Sequence, residues 1–232
     1  FARINEEMIF SDLLVVEKRL ERLELDKKRG KKADPEELRL LKECMKMLEL
    51  ENPLRHNPEL ASAPQLRGFT FLSGKPMLIL FNNDDDDEGL PEIDDALSDE
   101  KYLPIRGRLE HELAQMEEEE AKEYLTEFNI TTSAMDRMIS LSYELLGLIS
   151  FFTVGPDEVR AWTIKKDTLA VDAAEVIHSD IKKGFIRAEV VAYDDLMAAG
   201  SYKDARQKGT TRLEGKTYPV QDGDIIEFRF NV

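Results

Sequence analysis

Residues 75–88 read Lys-Pro-Met-Leu-Ile-Leu-Phe-Asn-Asn-Asp-Asp-Asp-Asp-Glu. The apolar run at residues 77–81 follows a proline and ends at two asparagines, which predicts a strand buried on both faces, as in the middle of an α/β sheet. Ligands of open α/β sheets bind just beyond the carboxyl ends of strands. The polar residues 82–85 are therefore candidates for a ligand site, and a strand followed by a solvated polar loop is the alternative interpretation.

The charge of the chain is strongly negative and unevenly distributed. The 232 residues carry a formal net charge of −16 at pH 7, and residues 82–100 contain ten acidic residues and no basic one. Such a charge argues against general binding to polyanions, whereas residues 151–232 are nearly neutral and leave local nucleic-acid contact open. The acidic run 84–87 could hold a hard cation, but it lacks the glycine and glutamate positions of a calcium loop, so a solvated loop is favoured.

Cysteine content and hydropathy together indicate the compartment. Cys44 is the single cysteine, which excludes an internal disulfide and fits a reducing compartment. No apolar run approaches the roughly 20 residues of a membrane span, and no signal-peptide pattern opens the chain. We therefore expect a cytoplasmic protein without a membrane partner.

Two helices joined by a basic turn are predicted for the first fifty residues. One is indicated by an apolar stripe with alternating spacings of four and three: Ile9, Leu13, Val16, Leu20 and Leu23. The second starts at Asp34, a good N-cap, followed by Pro35 at the first helical position. A short connection makes the pair an αα-hairpin with a coiled-coil-like seam. Five basic residues occupy its tip and are candidate RNA contacts, although a solvated polar turn is an equal alternative: Lys27, Lys28, Arg29, Lys31 and Lys32.

Short β-rich segments follow residue 150. Alternating apolar residues predict strands at residues 159–164 and 185–191, with a helix at residues 170–178 between them. Residues 218–220 and 225–230 flank an Asp-Gly turn and are expected to form a closing hairpin. The expected outcome is a small mixed sheet crossed by one helix.

The C-terminal residues carry a long, ordered pattern that resembles a known family. Residues 152–164 read Phe-Thr-Val-Gly-Pro-Asp-Glu-Val-Arg-Ala-Trp-Thr-Ile, and residues 183–190 read Lys-Gly-Phe-Ile-Arg-Ala-Glu-Val. With residues 220–232, they resemble the C-terminal TGS domain of the YchF/Obg-like ATPases, P-loop NTPases of the TRAFAC class. Residues 12–20 resemble the start of that family's inserted helical hairpin.

The resemblance implies an α+β protein in three parts. These are a helical hairpin at residues 1–66, the C-terminal part of a P-loop NTPase core at residues 67–150, and a β-grasp (ubiquitin-like) TGS domain at residues 151–232. It further implies a cytoplasmic, ribosome-associated protein that binds and slowly hydrolyses ATP or GTP with Mg²⁺. The core in this chain would be incomplete.

The resemblance assigns nucleotide-binding roles to two loops. Asn82, Asn83 and Asp85 fall at the base-recognition motif, and Arg106, Gly107 and Arg108 fall at the next nucleotide-contacting loop. A carboxylate there accepts hydrogen bonds from guanine N1–H and N2–H₂, a pair that adenine does not offer. The family has a longer Glu, associated with ATP, where this chain has Asp85, and a small residue where it has Arg106. Both nucleotides therefore stay candidates.

One expected element is absent from the printed sequence. The phosphate-binding pattern Gly-x-x-x-x-Gly-Lys-Ser/Thr does not occur in the 232 residues, so this chain alone should lack a hydrolytic centre and require no cofactor. We expect a C-terminal portion of a longer protein whose P-loop segment precedes residue 1. The alternatives are a non-catalytic RNA- or ribosome-binding module with a vestigial nucleotide site, and a regulatory module that binds a protein through the hairpin seam.

Overall fold

A computed structural model describes residues 1–87, 89–91, 99–117, 121, 125, 132–155 and 157–231. The chain divides into two compact units, Phe1–Ala134 and Met135–Val232, which are described separately below. Within the described ranges, no helix has the length and apolar character needed to cross a membrane. The predicted division into three parts, with boundaries after residues 66 and 150, stays a prediction.

The first unit begins with a long helix pair and ends with two strands and a short helix. Its elements are, in chain order, α1 (Ala2–Lys28), α2 (Pro35–Glu49), a 3₁₀ turn (Leu54–His56), α3 (Pro58–Ala61), a second 3₁₀ segment (Pro64–Phe69), β1 (Leu78–Asn82), β2 (Lys101–Ile105) and α4 (Gly107–Leu113). The side chain of Asp34 accepts a hydrogen bond from the Glu36 amide, and Pro35 is the first residue of α2. The predicted start of this helix is confirmed, because both features act locally.

The helix pair, α1 with α2, owes its packing to the predicted apolar stripes. Ile9, Val16 and Leu23 are buried along α1, and the Arg19 guanidinium donates two hydrogen bonds across to Glu37, at 2.8 and 2.9 Å. The buried cluster continues through α2 into the following turns. Its members are Ile9, Val16, Leu23, Leu40, Leu41, Cys44, Leu48, Leu54, Leu60, Leu66 and Phe71.

A buried carboxylate ties α1 to the segment ahead of β1. Asp12 is 2% exposed and accepts hydrogen bonds from the Leu72 amide (2.9 Å), the Ser73 amide (2.7 Å) and the Ser73 hydroxyl (2.6 Å). A charged acceptor with several donors tolerates burial, because these bonds replace its hydration. Asp12 therefore fixes where the chain leaves the helix pair.

A buried ion pair lies between the 3₁₀ turn and the residue preceding β2. Arg55 and Glu100 are each about nineteen-twentieths buried as side chains, and Arg55 Nε donates to Glu100 Oε1 at 2.7 Å. Arg55 Nη2 also donates to Asn5 Oδ1 at 2.8 Å, and His56 Nε2 lies 3.5 Å from Glu100 Oε1. The pair anchors the start of β2 to the helical part of the unit.

Strands β1 and β2 form a two-stranded parallel sheet, with Leu80 opposite Leu103. The residues Leu-Pro-Ile at 103–105 also predict a short strand, and the prediction of strands at both places is confirmed. The prediction that β1 is buried on both faces is wrong for the described residues. Leu80 is 40% exposed, and no residue of β1 is fully buried. The reason is that β1 has one strand beside it here, whereas a fully buried parallel strand needs neighbours and covering layers on both sides.

The sequence pattern also predicts a helix at residues 109–125. This prediction is confirmed up to Leu113, where α4 ends, and is wrong for residues 114–116, which form a turn; residues 118–120 and 122–124 lie outside the described ranges. The sequence further indicates an acidic excursion at residues 88–102 and an N-cap among residues 131–133, and of these residues 88, 92–98 and 131 are not among the described ones.

The second unit is a five-stranded sheet with helices on both faces. Its elements are α5 (Ala134–Leu146), β3 (Leu148–Val154), β4 (Val159–Lys165), α6 (Ala170–Ile177), α7 (Ser179–Lys183), β5 (Phe185–Ala192), α8 (Tyr193–Ala199), α9 (Tyr202–Lys208), β6 (Arg212–Glu214) and β7 (Asp224–Phe230). The strand order is β4-β3-β7-β5-β6. β3 pairs parallel to β7, and the other pairs are antiparallel, so the predicted mixed sheet is confirmed.

The main core of this unit lies between one face of the sheet and α6. Phe151 is fully buried and meets Phe228 edge-on, with ring centroids 6.0 Å apart. Ala170, Ala173 and Ala174 of α6 are also fully buried, because small side chains let the helix approach the sheet closely. A smaller cluster on the other face joins Val191 and Ile225 to the short helices α8 and α9.

The predicted closing hairpin is wrong. Strand β7 pairs with β5 and β3 rather than with residues 218–220, and Pro219 forms only an isolated bridge with Leu169. The predicted turn at Asp222-Gly223 is present, and Gly223 has φ +80°, a conformation that favours glycine. However, the turn leads into β7 at the centre of the sheet, where Ile225 and Ile226 are buried on opposite faces.

Candidate functional site

The residues predicted to bind a nucleotide come together at the carboxyl edge of the β1–β2 pair. Asn82 is the last residue of β1, and Gly107 opens α4 directly after β2. The Gly107 amide donates to Asn82 Oδ1 at 3.0 Å. A Cβ at position 107 would lie 2.7 Å from that oxygen, so glycine is what allows the two loops to approach.

Asn83 holds the acidic loop rather than pointing to an open site. Its backbone N–H donates a hydrogen bond to the Ile105 carbonyl at 2.8 Å, which extends the pairing of β1 with β2 by one hydrogen bond. Its Nδ2 donates to the Gly89 carbonyl at 2.6 Å and to the Asp87 carbonyl at 3.3 Å. Asn83 therefore shapes the loop that carries Asp85.

Asp85 is paired with an arginine of the second loop. Arg108 Nε donates to Asp85 Oδ2 at 2.7 Å, and Arg108 Nη2 contacts the same oxygen. This hydrogen bond raises the pKa of the Arg108 guanidinium above its ordinary value. Arg106 Nη1 lies 3.4 Å from the Asp85 backbone carbonyl, a weaker contact that does not involve the carboxylate. The ion pair between the two loops could not be read from the sequence, because its partners are 23 residues apart.

This donor and acceptor set suits a planar heterocycle better than a metal ion. The two loops supply two side-chain amides, one carboxylate and two guanidinium groups, which are groups that recognise the edge of a base by hydrogen bonds. The described residues contain no group of three or more His, Cys, Asp or Glu arranged to hold a metal ion. These six residues include no nucleophile held by a general base.

The predicted RNA contacts form a solvent-exposed surface at the end of α1. We call Lys27, Lys28, Arg29, Lys31 and Lys32 the basic turn; all five are exposed. Lys31 Nζ donates to Asp26 Oδ1 at 3.1 Å, and this hydrogen bond lowers the pKa of Asp26 below its ordinary value. Gly30 has φ +78°, a conformation typical of the residue after a helix end, so α1 ends here and the basic residues lie on both sides of the glycine.

Two other residues have structural roles. The sequence predicts that His178, at a helix end without a partner nucleophile, is a cap or packing residue. It caps α7, with Nδ1 accepting a hydrogen bond from the Asp180 amide at 3.2 Å. Cys44 lies among apolar residues of the sequence, which predicts a packing role. It is fully buried in the helix pair, and burial raises the pKa of its thiol to about 12, so the thiol is an inert packing group.

Comparisons with known proteins agree with the resemblance read from the sequence. A family model named YchF-GTPase_C, described as a protein of unknown function, matches residues 148–231. The protein named ribosome-binding ATPase YchF is 40% identical in Bacillus subtilis and 38% identical in Haemophilus ducreyi, in each case over 99% of this chain. The chain spans 65% of the length of these curated relatives.

Solved structures give the same result for the fold. The structure of the Schizosaccharomyces pombe YchF GTPase matches with a TM-score of 0.81 and 30% identity, covering 97% of this chain and 64% of that one. A GTP-binding protein from Pyrococcus horikoshii matches with a TM-score of 0.53 at 19% identity, which is a likeness of fold alone. The fold and the matched relatives are consistent with the P-loop NTPase class. Over nearly its whole length, the chain is similar to proteins of the YchF family.

Proposed function

We propose that this chain supplies the base-recognition part of a ribosome-associated ATPase or GTPase, and that a preceding segment supplies the phosphate-binding loop. The observation that carries the proposal is the meeting of two loops at one sheet edge, where Asn82, Asp85, Gly107 and Arg108 converge. The names of its relatives, ribosome-binding ATPases, support the activity and the partner. Mg²⁺ would accompany the phosphates and would be held outside the described site.

The three-part organisation belongs to the same proposal. Residues 1–66 would form the helical hairpin insertion, residues 67–150 the C-terminal part of the nucleotide-binding core, and residues 151–232 a TGS domain of the β-grasp type. The sheet order β4-β3-β7-β5-β6, with α6 packed across one face, supports the last assignment.

Nucleotide binding tests the first half of the proposal. In the protein made from its complete reading frame, Asp85→Ala should weaken nucleotide binding by on the order of tenfold or more, because a hydrogen bond to a charged group contributes about 1.5–3 kcal/mol. Asp86→Ala is the matched control, since Asp86 is an exposed neighbour in the same loop. Calorimetry with ATP and GTP measures both. Equal effects of the two substitutions would contradict the assignment of Asp85.

The chain of 232 residues alone gives a complementary expectation. Calorimetry should show very weak binding of ATP or GTP, or none, because most of the affinity for a nucleotide comes from its phosphates. Micromolar binding would contradict the proposed division of the site between this chain and a preceding segment.

Ribosome co-sedimentation tests the second half. Reversing the five charges of the basic turn to Glu should weaken association and flatten its dependence on salt. The log–log slope should fall by roughly 0.7–0.9 for each phosphate that the basic turn neutralises in the unsubstituted protein. The control reverses five exposed lysines elsewhere: Lys18, Lys42, Lys46, Lys75 and Lys203. The same loss in both variants would indicate a general charge effect, and no loss in either would contradict a role for the basic turn.

A second candidate function is a non-catalytic RNA- or ribosome-binding module with a vestigial nucleotide site. A complete reading frame that lacks the phosphate-binding pattern ahead of residue 1 would favour it. Ribosome association of the complete protein without measurable nucleotide binding would support this alternative over hydrolysis.

A further inference from the structure

The carboxylate that would read the base is already engaged. Arg108 reaches Asp85 Oδ2 through both Nε and Nη2, so this oxygen is occupied by two donors of one guanidinium. The Asp85 side chain is 19% exposed, whereas that of Arg108 is 74% exposed. The Asp85 carboxylate is therefore mostly buried in its loop, and the exposed Arg108 side chain lies between it and the solvent.

The two purine bases respond differently to such a pair. Guanine presents N1–H and N2–H₂ side by side and needs both oxygens of a carboxylate, one for each donor. Adenine presents one donor, N6–H₂, beside one acceptor, N1. A carboxylate with one oxygen taken by a guanidinium offers one acceptor beside remaining N–H donors, which complements the adenine edge.

We propose that Arg108 is a specificity-determining residue that disfavours guanine by occupying Asp85 Oδ2. This inference rests on the proposed nucleotide-binding function. It also answers a question raised by the sequence. Asp85 stands where the family has a longer Glu, and a free aspartate at that position is the arrangement that accepts guanine. Arg108 occupies one of the two carboxylate oxygens that guanine would need, although the residue at position 85 is still an aspartate.

The size of the effect follows from the exposure of the pair. Ion pairs on the surface are weak, because water and salt screen the charges and two long side chains must be held in one geometry. Guanine could therefore displace Arg108 at modest cost, and the arginine biases the choice of base without excluding guanine. Exposure also means that Arg108 has little packing to lose, so its substitution should leave the fold intact.

The test uses the complete protein and the affinities for ATP and GTP in parallel. Arg108→Ala should shift the ratio of the two affinities toward GTP by roughly two- to fivefold, because guanine then no longer has to displace an exposed arginine. Arg108→Lys should shift it less, because an ammonium group still pairs with Asp85, although it lacks the two fixed donors of the guanidinium. Arg39→Ala is the matched control, since Arg39 makes comparable exposed ion pairs with Glu36 and Glu43 on α2.

A double variant separates the proposed role from a change in loop shape. Arg108→Ala combined with Asp85→Asn should lose the gain in GTP affinity, because the freed carboxylate is its source. Nucleotide binding with an unchanged ratio in Arg108→Ala would overturn the role of Arg108 and leave the proposed function standing. Failure of the unsubstituted protein to bind either nucleotide would overturn both.

Discussion

The two sheets of this protein contrast in how much of their apolar surface is covered. In the five-stranded sheet of the second unit, Phe151 and Val190 are fully buried and helices cover both faces. In the two-stranded sheet of the first unit, Leu80 is 40% exposed although it belongs to a continuous apolar run. The sequence of β1 is apolar enough for full burial, but the described part of the first unit leaves this strand partly exposed.

This contrast matters because the candidate site lies on the less covered sheet. A parallel pair relies on layers on both faces for its stability. The loops that carry Asn82, Asp85 and Arg108 are therefore held mainly by hydrogen bonds and ion pairs at the strand ends. The structure of such a site should be sensitive to single substitutions of polar residues. The stability of the five-stranded sheet should instead be sensitive to truncation of buried apolar side chains.

The largest expected difference is between Phe151→Ala and Leu80→Ala. Truncating Phe151 removes a fully buried ring and should lower the free energy of unfolding of the second unit by about 3–5 kcal/mol. Urea denaturation monitored by fluorescence of Trp162, which lies opposite Phe151 on β4, measures it. Truncating the half-exposed Leu80 should lower local stability by less than about 1 kcal/mol, as hydrogen exchange of β1 would report. Equal losses would remove the contrast.

An intermediate effect is expected from the ion pair built into the larger sheet. Glu189 is 3% exposed and lies between Arg206 and Arg229. Burial alone would raise the pKa of Glu189, but the hydrogen bonds from the two guanidinium groups outweigh it, so this pKa is lower than the ordinary value of 4.5. Glu189→Gln should lower stability at pH 7 by about 1–2 kcal/mol, discounted because both arginines are half exposed.

The sign of the pH dependence follows from the lowered pKa of Glu189. The stabilisation by its carboxylate is present above the ordinary pKa of 4.5 and disappears as the pH falls through the lower folded value. The difference in unfolding free energy between the unsubstituted protein and Glu189→Gln should therefore shrink below about pH 4.5. Glu227→Gln is the control, because Glu227 faces Glu189 across the pair of strands but is 58% exposed. A difference that stays constant with pH would contradict this account.

The smallest expected effect is at the edge of the two-stranded sheet. Gly107→Ala should displace the Asn82 side chain and remove its hydrogen bond with the residue 107 amide, at a cost of about 1 kcal/mol. Faster hydrogen exchange of that amide would report the loss. Gly68→Ala is the control, since no atom lies within 4 Å of a Cβ built there. Similar behaviour of the two variants would mean that the close approach of the loops is not needed.

The sequence predicted the elements whose causes are local. α1 and α2 follow from apolar spacing and from the Asp34 cap, and β1 and β2 follow from short apolar runs between polar loops. The meeting of the loops after these strands was also predictable, because carboxyl ends of parallel strands share one edge of a sheet. The assignment of Asn82 and Asp85 to base recognition required the family resemblance as well.

What the sequence did not predict depends on contacts between distant residues. The turn before β7 was interpreted as a hairpin, since hairpin signals describe a turn and not the strand that will pair beyond it. The short helices α8 and α9 were missed because segments of seven residues carry little periodicity. The ion pair of Arg108 with Asp85 depends on how two loops are held, and side-chain pairing across 23 residues has no local signal.

The Asp12 carboxylate accepts three hydrogen bonds, and the position of their donors in the chain has a consequence for the order of folding. Its donors, Leu72 and Ser73, follow it by 60 and 61 positions in the chain. Contacts of such separation require a large loop to close, which slows their formation relative to the pairing of α1 with α2. During synthesis the carboxylate must stay hydrated until the chain up to Ser73 has left the ribosome. The helix pair can then form early, and its locking onto the strand that carries the candidate site must come later.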